Sequence, residues 1–249
     1  MLIMNIAPVS EFDASANYYK FRTPYIPKLF EALSKRLPLN EDARILDICC
    51  GNGQIAAGLT PFIGAAIGMD FSPEMLTRAI KHEKITYIQH DINNEPIVLP
   101  EIMDHFFIGR AIHWIETAAL RQIIDSYLKA GGSIVILGSG WSSETLWLKS
   151  FLEIQRKYSN NRKIDYQGRT KLKEAGFELI ERVEIKARTK CSINYLIKNI
   201  LSYNNRFGNI IGNLEEFRQN IAAFAAPHQG PDGFLEATVV SWAIVYRKV

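Results

Sequence analysis

Short apolar runs alternate along this chain with segments in which hydrophobic residues recur at helical spacing. The runs have the length of β-strands, and the segments between the first five have the length of crossover helices. The predicted strands are 43–48, 65–70, 85–91, 104–114, 133–137, 177–187 and 235–247. The predicted helices are 29–37, 54–59, 76–80, 117–130, 146–154, 170–176, 195–203 and 214–224. This alternation predicts a parallel sheet with helices on both faces.

Glycine and proline mark the expected ends of two of these helices. Pro61 stops the helix that begins at Gln54, because proline cannot continue the backbone hydrogen bonds. Gly131 and Gly132 are expected to end the helix at 117–130. Beyond residue 138 the alternation loosens, and residues 191–232 form a long insertion before the last predicted strand.

The turn at residues 49–53 is the first candidate ligand site, since it points a helix N-terminus and its free N–H groups outward. Gly51 and Gly53 have no Cβ and allow a ligand close to the backbone. Asp47 lies in the apolar strand before them and needs a partner, such as a ligand cation or the amides of the loop. Three interpretations stay open here: a plain connecting turn, a nicotinamide-dinucleotide fingerprint, and an S-adenosylmethionine loop.

Two further acids end the second and third predicted strands. Asp70 is placed to accept hydrogen bonds from both hydroxyls of a ribose, as both nucleotide interpretations require. Ser72 is a suitable N-cap for the following helix, and Pro73 suits its first position. Asp91 ends the third strand, where a carboxylate suits an adenine amino group. Only the S-adenosylmethionine interpretation predicts this third acid, so the series favours it.

With these residues the chain resembles the class I S-adenosylmethionine-dependent methyltransferases, in particular their small-molecule branch. Residues 47–53, 68–75 and 90–91 are similar to successive cofactor motifs of the family. Residues 108–114 resemble the fourth-strand segment of trans-aconitate-type methyltransferases, in which a His-Trp pair recurs. The resemblance runs from Phe12 to about Gly138 and more loosely beyond. Cys49 departs from the pattern, because the family usually has glycine there.

The resemblance implies an α/β, Rossmann-like fold with a seven-stranded, mostly parallel sheet and helices on both faces. In the family the last strand lies antiparallel between the fifth and sixth. It further implies one methyltransferase domain over residues 1–249, with a helical cap from the N-terminus and from the insertion at about 191–232. Residues 1–40 would form the lid and first helix, 41–138 the cofactor-binding half and 139–249 the substrate-side half.

The implied cofactor is S-adenosyl-L-methionine, held by residues at the strand ends and in the lid. The residues expected to bind it are Asp47, Cys49, Cys50, Gly51, Asn52, Gly53, Asp70, Phe71, Met75, Asp91, Ile92, Gly109, Arg110, Tyr18 and Arg22.

Residues 12–25 are similar to the family's Y-x-x-x-R-P-x-Y segment, with Thr23 in place of the proline. In relatives this segment folds over the cofactor, which implies that Tyr18 shields the sulfonium and that Arg22 pairs with the methionine carboxylate. The alternative is a surface helix with an aromatic packing face and a solvated arginine. For Arg110, a clamp on a carboxylate and a surface position both stay open.

The candidate catalytic residue is His113, at the carboxyl end of the fourth predicted strand, where ligands bind in open α/β sheets. It could take a proton from a hydroxyl or amine acceptor. The alternative is a histidine that packs against Trp114 and hydrogen-bonds the backbone. The substrate pocket is expected to contain His113, Trp114, Tyr19 and Trp141.

The predicted reaction is methyl transfer to an oxygen of a small molecule, either a carboxylate or a hydroxyl. The alternatives are an N- or C-methyltransferase acting on a metabolite and a non-catalytic protein that binds the cofactor. A nicotinamide oxidoreductase is disfavoured, because a long segment precedes the turn and Asp91 would have no role in it.

The composition limits the kinds of partner and the cellular location that we expect for this protein. The 249 residues are 47% hydrophobic, which is enough for one domain with a sizeable core. The net charge of +3 comes from interspersed charges, so we expect no nucleic-acid partner. Three cysteines without a disulfide framework favour the cytoplasm, and no run suggests a membrane span or a signal peptide. No metal-ligand spacing is present, and the oligomeric state stays open.

Overall fold

The computed structural model describes residues 16–158, 168–203 and 210–248. Across these residues, seven strands form one sheet in the order β3-β2-β1-β4-β5-β7-β6. They are β1 (Arg44–Ile48), β2 (Ala65–Asp70), β3 (Ile85–Gln89), β4 (Met103–Gly109), β5 (Leu128–Trp141), β6 (Phe177–Cys191) and β7 (Leu235–Lys248). Strand β7 pairs antiparallel with β5 and β6, and the other pairings are parallel. The predicted, mostly parallel sheet with one antiparallel strand is therefore confirmed.

Helices connect the parallel strands and form much of the late insertion. The α-helices are α1 (Pro27–Ser34), α2 (Gln54–Leu59), α3 (Pro73–Thr77), α4 (Thr117–Tyr127), α5 (Leu148–Lys157), α6 (Gly168–Glu174), α7 (Ile193–Leu201) and α8 (Leu214–Ala225). Short 3₁₀ helices cover Ala16–Phe21, Thr60–Phe62, Ile112–Trp114 and Ala226–His228. Helix α1 begins earlier than predicted, because Pro27 suits the first helical turn.

The expectation that Gly131 and Gly132 end a helix is wrong. Helix α4 ends at Tyr127, and Leu128 is already extended and pairs with Met103 of β4. Both glycines lie inside β5. A Cβ on Gly132 would come within 2.6 Å of the Asp104 carbonyl oxygen, so this glycine allows two strands to approach closely.

The sheet is covered on both faces, as successive residues of its central strands show. On β4, Phe106 belongs to one hydrophobic cluster and Phe107 to a second, because side chains alternate along a strand. On β5, Ile134 and Val135 divide in the same way. A third cluster lies under α5, α7 and α8, around residues such as Phe151, and forms the core of the helical cap.

The N-terminal lid and a membrane span are the two remaining expectations from the sequence. Residues 1–15 of the predicted lid, Phe12 among them, lie outside the described residues. Among the described helices, none combines the length and apolar character that crossing a bilayer requires.

One buried histidine lies on β4, away from the carboxyl ends of the strands. His105 is 1% exposed, and its Nδ1 accepts a hydrogen bond from the Ser133 backbone N–H at 3.3 Å. Burial lowers the pKa of His105 to about 4, although the neighbouring Asp104 acts in the opposite direction. The folded protein therefore holds this ring uncharged over a pH range in which the unfolded chain protonates it.

We expect His105→Asn to remove an acid sensitivity of the fold. Between pH 6.5 and 4 the unfolded chain binds a proton at His105 that the folded chain refuses, so stability falls as the pH falls. A shift of this size corresponds to about 3 kcal/mol at most, and urea unfolding between pH 7.5 and 4.5 would measure it. Asparagine keeps an acceptor for the Ser133 amide and does not titrate.

The control for this prediction is His82→Asn, because His82 is exposed.

Asp47 changes the stability of the fold with pH in the opposite direction. Burial raises its pKa to about 7, so its folded form keeps a proton that the unfolded chain loses. Acidification through that range therefore adds stability through Asp47 and removes it through His105. If His105→Asn had the same pH dependence as wild type, the assigned role of His105 would be wrong.

Candidate functional site

The turn between β1 and α2 uses left-handed backbone at alternate positions. Cys49, Gly51 and Gly53 have φ values of 54°, 57° and 75°. Cys49 thus adopts a conformation that disfavours a side chain by about 1–2 kcal/mol, at the position where the resembled family has glycine. A Cβ on Gly51 would lie 2.8 Å from the Tyr19 hydroxyl oxygen. Only glycine therefore lets Tyr19 lie across this turn.

The carboxylate of Asp70 joins this turn to the start of the next helix. Its Oδ2 accepts a hydrogen bond from the Gly51 N–H at 2.7 Å, and its Oδ1 accepts one from the Ser72 N–H at 3.0 Å. Asp70 is 7% exposed, and that exposed part faces a cavity. A carboxylate at this wall is an acceptor that hydroxyl or amide groups of a ligand can reach.

A cavity of about 570 Å³ opens at the carboxyl ends of β1, β2, β4 and β5. Its walls contain most of the residues expected to bind the cofactor. These are Cys49, Gly51, Asp70, Phe71, Met75, Asp91, Ile92, Gly109, Arg110 and Arg22. Three residues expected in the substrate pocket, Tyr19, His113 and Trp114, also line it. The structure thus brings these thirteen residues to one concave surface.

Several residues expected at the site do not line this cavity. They are Asp47, Cys50, Asn52, Gly53, Tyr18 and Trp141. Tyr18 and Trp141 pack against the third hydrophobic cluster instead. Strand β5 extends as far as Trp141, which pairs with Val239 of β7. The centre of the Trp141 ring therefore lies 5.4 Å from the centre of the Trp147 ring.

Asp47 lies behind the turn and is fully buried. Its Oδ2 accepts a hydrogen bond from the Ala56 N–H of α2 at 3.1 Å, and its Oδ1 has no partner among the described residues. Burial raises the pKa of Asp47 to about 7, the amide of Ala56 lowers it, and the charge of Asp70 raises it. The sequence predicts that Asp47 needs a partner. For its Oδ2 that partner is the backbone amide of Ala56, beside the turn.

The loop after β3 presents the third acid. Asp91 Oδ1 accepts a hydrogen bond from the Asn93 N–H at 3.0 Å, and Oδ2 accepts one from the Asn94 side-chain amide at 2.8 Å. These bonds hold the Asp91 carboxylate at the cavity wall. Asp70 and Asp91 therefore line one crevice, and Asp47 lies behind it.

Two arginines line the same cavity. The guanidinium of Arg22 lies 3.9 Å from the centre of the Tyr203 ring, and its Nε donates to the Ser202 carbonyl at 3.0 Å. Arg110 has a positive φ of 57°, and its Nη1 donates to the Thr23 carbonyl at 3.1 Å. Arg110 therefore holds residues 22–26 in place. We call this segment the strap.

Side chains from the sheet fasten the strap further. Ser139 Oγ donates to the Thr23 carbonyl at 2.5 Å, and the Ile26 N–H donates to Ser241 Oγ at 2.9 Å. None of these contacts is apparent from the sequence. Tyr203 and Ser139 line the cavity as well, yet no motif in the sequence marks them.

His113 lies in the 3₁₀ helix Ile112–Trp114, directly after β4. Its ring centre is 4.8 Å from that of Trp114. Partial burial lowers the pKa of His113, and the positive charges of Lys171 and Arg22 lower it further. At neutral pH the imidazole is therefore uncharged, in the state that can accept a proton. Among the described residues, no cluster of His, Cys, Asp or Glu could hold a metal ion.

Gly53→Ala is expected to destabilise the fold by about 3 kcal/mol. The residue has a φ of 75°, and a Cβ there would lie 2.0 Å from the Tyr87 hydroxyl oxygen, which donates to the Ile80 carbonyl. Gly131→Ala is the matched control, because its φ is 77° and nothing lies within 4 Å of its Cβ position. That control isolates the backbone cost of about 1 kcal/mol. Equal losses of unfolding free energy in urea would show that the Tyr87 contact contributes nothing.

Comparison with known proteins is consistent with this geometry. The family model described as "Methyltransferase domain" matches residues 45–132, which run from β1 into β5. A protein of Saccharomyces cerevisiae named "Probable S-adenosylmethionine-dependent methyltransferase CRG1" is 29% identical over 128 residues, which are 48% of this chain and 43% of that protein. The matched segments cover 40% to 50% of the length of such curated relatives.

Solved structures extend the likeness across the fold. A protein of Anaeromyxobacter dehalogenans, named as a candidate type II methyltransferase, has a TM-score of 0.66 at 16% identity over 91% of this chain and 96% of its own. An S-adenosylmethionine-dependent methyltransferase of Thiobacillus denitrificans, solved with S-adenosyl-L-homocysteine, has a TM-score of 0.52 at 16% identity over the whole of both chains. At such identities the likeness concerns the fold. Over residues 45–132 the chain is thus similar to the methyltransferase domain, and across most of its length it shares the fold of these solved structures.

Proposed function

We propose that the cavity binds S-adenosyl-L-methionine and directs its methyl group to a small-molecule acceptor. The observation that carries the proposal is Asp70, a nearly buried carboxylate that holds the Gly51 turn and lines the cavity. The two adjacent hydroxyls of a ribose are suitable donors to a carboxylate at that wall. The cavity volume of about 570 Å³ is in the range of small-molecule and cofactor sites.

The residues along the cavity suit the other parts of this cofactor. Asp91 offers a carboxylate for the adenine amino group, and Phe71, Met75 and Ile92 offer apolar surface for the adenine ring. Arg22 offers a cation for the methionine carboxylate. Support also comes from the yeast relative, whose name includes this cofactor, and from the Thiobacillus neighbour solved with its demethylated product.

When bound, this cofactor supplies a methyl group on a positively charged sulfur. The chain's own residues then have three tasks: to hold the donor, to align the acceptor and to exclude water. Tyr19 lies across the turn at Gly51, and Arg22 of the strap lines the same cavity, which serves the first and third tasks. His113 and Trp114, beyond the end of β4, form a wall against which an acceptor can be aligned.

The acceptor atom we favour is an oxygen of a carboxylate or a hydroxyl. A hydroxyl must lose a proton, and the uncharged imidazole of His113 can receive it. A carboxylate needs no base, so His113 would then serve only as part of the wall. An amine or carbon acceptor is the alternative within the same reaction class.

Titration calorimetry with S-adenosyl-L-methionine and with NAD tests the proposed cofactor. We expect micromolar binding of the first and no heat from the second, since Asp91 has no counterpart role in a nicotinamide site. Binding of NAD alone would overturn the proposal. Transfer of a radiolabelled methyl group into an extract of small metabolites, followed by mass identification of the product, would then define the acceptor.

A further inference from the structure

The turn that carries His113 and Trp114 is held by two side chains from other parts of the chain. Lys171 Nζ donates to the carbonyl oxygens of Ile112 at 3.3 Å and Ile115 at 2.5 Å. These two carbonyls flank His113 on either side. The turn itself is a 3₁₀ helix of three residues, whose own hydrogen bonds have poor geometry. Its position therefore depends on contacts from outside.

Asn93 holds the same turn from the opposite direction. Its Nδ2 donates to the Trp114 carbonyl at 2.9 Å, and its Oδ1 accepts from the Glu116 N–H at 2.9 Å. Asn93 is itself fixed by Asp91, so this contact joins the turn to the loop after β3. Lys171, by contrast, reaches the turn from the substrate-side half of the chain.

The helix that carries Lys171, α6, is anchored to the rest of the protein. The neighbouring residue Leu172 is fully buried in the first hydrophobic cluster, and the Glu174 carbonyl of the same helix accepts a hydrogen bond from Arg121. Helix α6 thus packs against the sheet, and the partly buried Lys171 ammonium spans the gap to the turn. A lysine that is held in this way acts as a fixed support.

We propose that Lys171 is a positioning residue, whose ammonium group locks the turn that presents His113 and Trp114 to the acceptor. This inference rests on the function proposed above for the cavity. Lys171 does not line the cavity and acts only through the turn.

The charge of Lys171 has a second effect on the same turn. It lowers the pKa of His113, together with burial and with Arg22, which faces His113 from the strap. The other titratable groups that line the cavity are Tyr19, Cys49, Asp70, His90, Asp91, Arg110 and Tyr203, and Glu116 follows the turn. Loss of the Lys171 charge should therefore raise the pKa of His113.

Lys171→Met tests the proposal, because methionine keeps an apolar stem and removes both the charge and the hydrogen bonds. The matched control is Lys173→Met, an exposed position on the same helix with the same change of charge. In Lys171→Met we expect a higher His113 pKa by NMR titration and at least tenfold faster amide exchange at residues 113–116. Lys171→Arg should restore much of the wild-type pKa.

Kinetic measurements add a readout that a purely structural role would not produce. Lys171→Met should lower kcat by about 10-fold or more, while KM for S-adenosyl-L-methionine stays near wild type. If Lys171→Met and Lys173→Met gave the same His113 pKa and the same amide exchange, the proposal would be overturned. Should the methionine variant not fold, Lys171→Gln replaces it in the same measurements.

The two proposals fail in different ways. Absence of methyl transfer to any acceptor would count against the proposed function, whereas the titration and the amide exchange require no substrate. They decide the role of Lys171 in the free protein.

Discussion

Asp70→Ala is expected to weaken binding of S-adenosyl-L-methionine by about 10-fold to 100-fold, which corresponds to roughly 1–3 kcal/mol. Two effects act together. The ribose hydroxyls lose their acceptor, and the N–H groups of Gly51 and Ser72 lose the carboxylate that positions them. Titration calorimetry of the variant and the wild type would measure the change directly.

Two further variants separate binding from folding in this experiment. Asp70→Asn keeps the volume and one acceptor oxygen, so it should fold while losing much of the affinity. Asp42→Ala changes an exposed acid just before β1, at the opposite edge of the sheet, and should bind as wild type does. An affinity in Asp70→Ala equal to that of Asp42→Ala would remove Asp70 from the site.

His113→Ala is expected to lower turnover by about 100-fold to 10,000-fold if the acceptor is a hydroxyl or an amine. Affinity for S-adenosyl-L-methionine should stay near wild type, because the residues proposed to hold its adenosine and methionine parts lie elsewhere on the cavity wall. Single-turnover methyl transfer and calorimetry would separate the two effects.

The pH dependence of turnover gives an independent check on His113. Since partial burial and the charges of Lys171 and Arg22 hold the pKa of this imidazole below its usual value of 6.5, the wild-type rate should stay level at neutral and alkaline pH. It should fall only at lower pH, as the ring gains a proton and can no longer act as a base. His82→Ala, at an exposed position, serves as the control. A wild-type rate in His113→Ala would leave only its packing against Trp114.

Local patterns were sufficient for the parallel part of the sheet and for the residues that follow its strands, whereas the antiparallel last strand was expected only from the family resemblance. Asp70 and Asp91 each follow a short apolar run, and parallel strands bring their carboxyl ends to one edge. Ser72 caps α3 as expected, since its hydroxyl accepts from the Met75 N–H at 3.2 Å. Such features depend on neighbours within a few residues, so they can be predicted from the sequence.

The ends of helices and strands were harder to predict from the sequence, because they depend on pairing between strands that are distant in the chain. Strand β5 begins at Leu128, where a helix was expected to continue, since that residue pairs with Met103 of β4. At its other end β5 continues to Trp141 because β7 runs beside it. That extension removes Trp141 from the cavity and places it in the core of the cap.

The alternation of apolar runs and helical segments was thus enough to predict the parallel part of the sheet, and the acids after two early strands were enough to predict part of the cavity wall. Those features arise from local spacing and from the geometry of parallel strands. Other parts of the cavity wall depend on contacts across long stretches of chain: Tyr203 lies against Arg22, and Lys171 donates to the turn that carries His113. No periodicity or motif encodes such pairs, because they form only when the late helices pack onto the completed sheet.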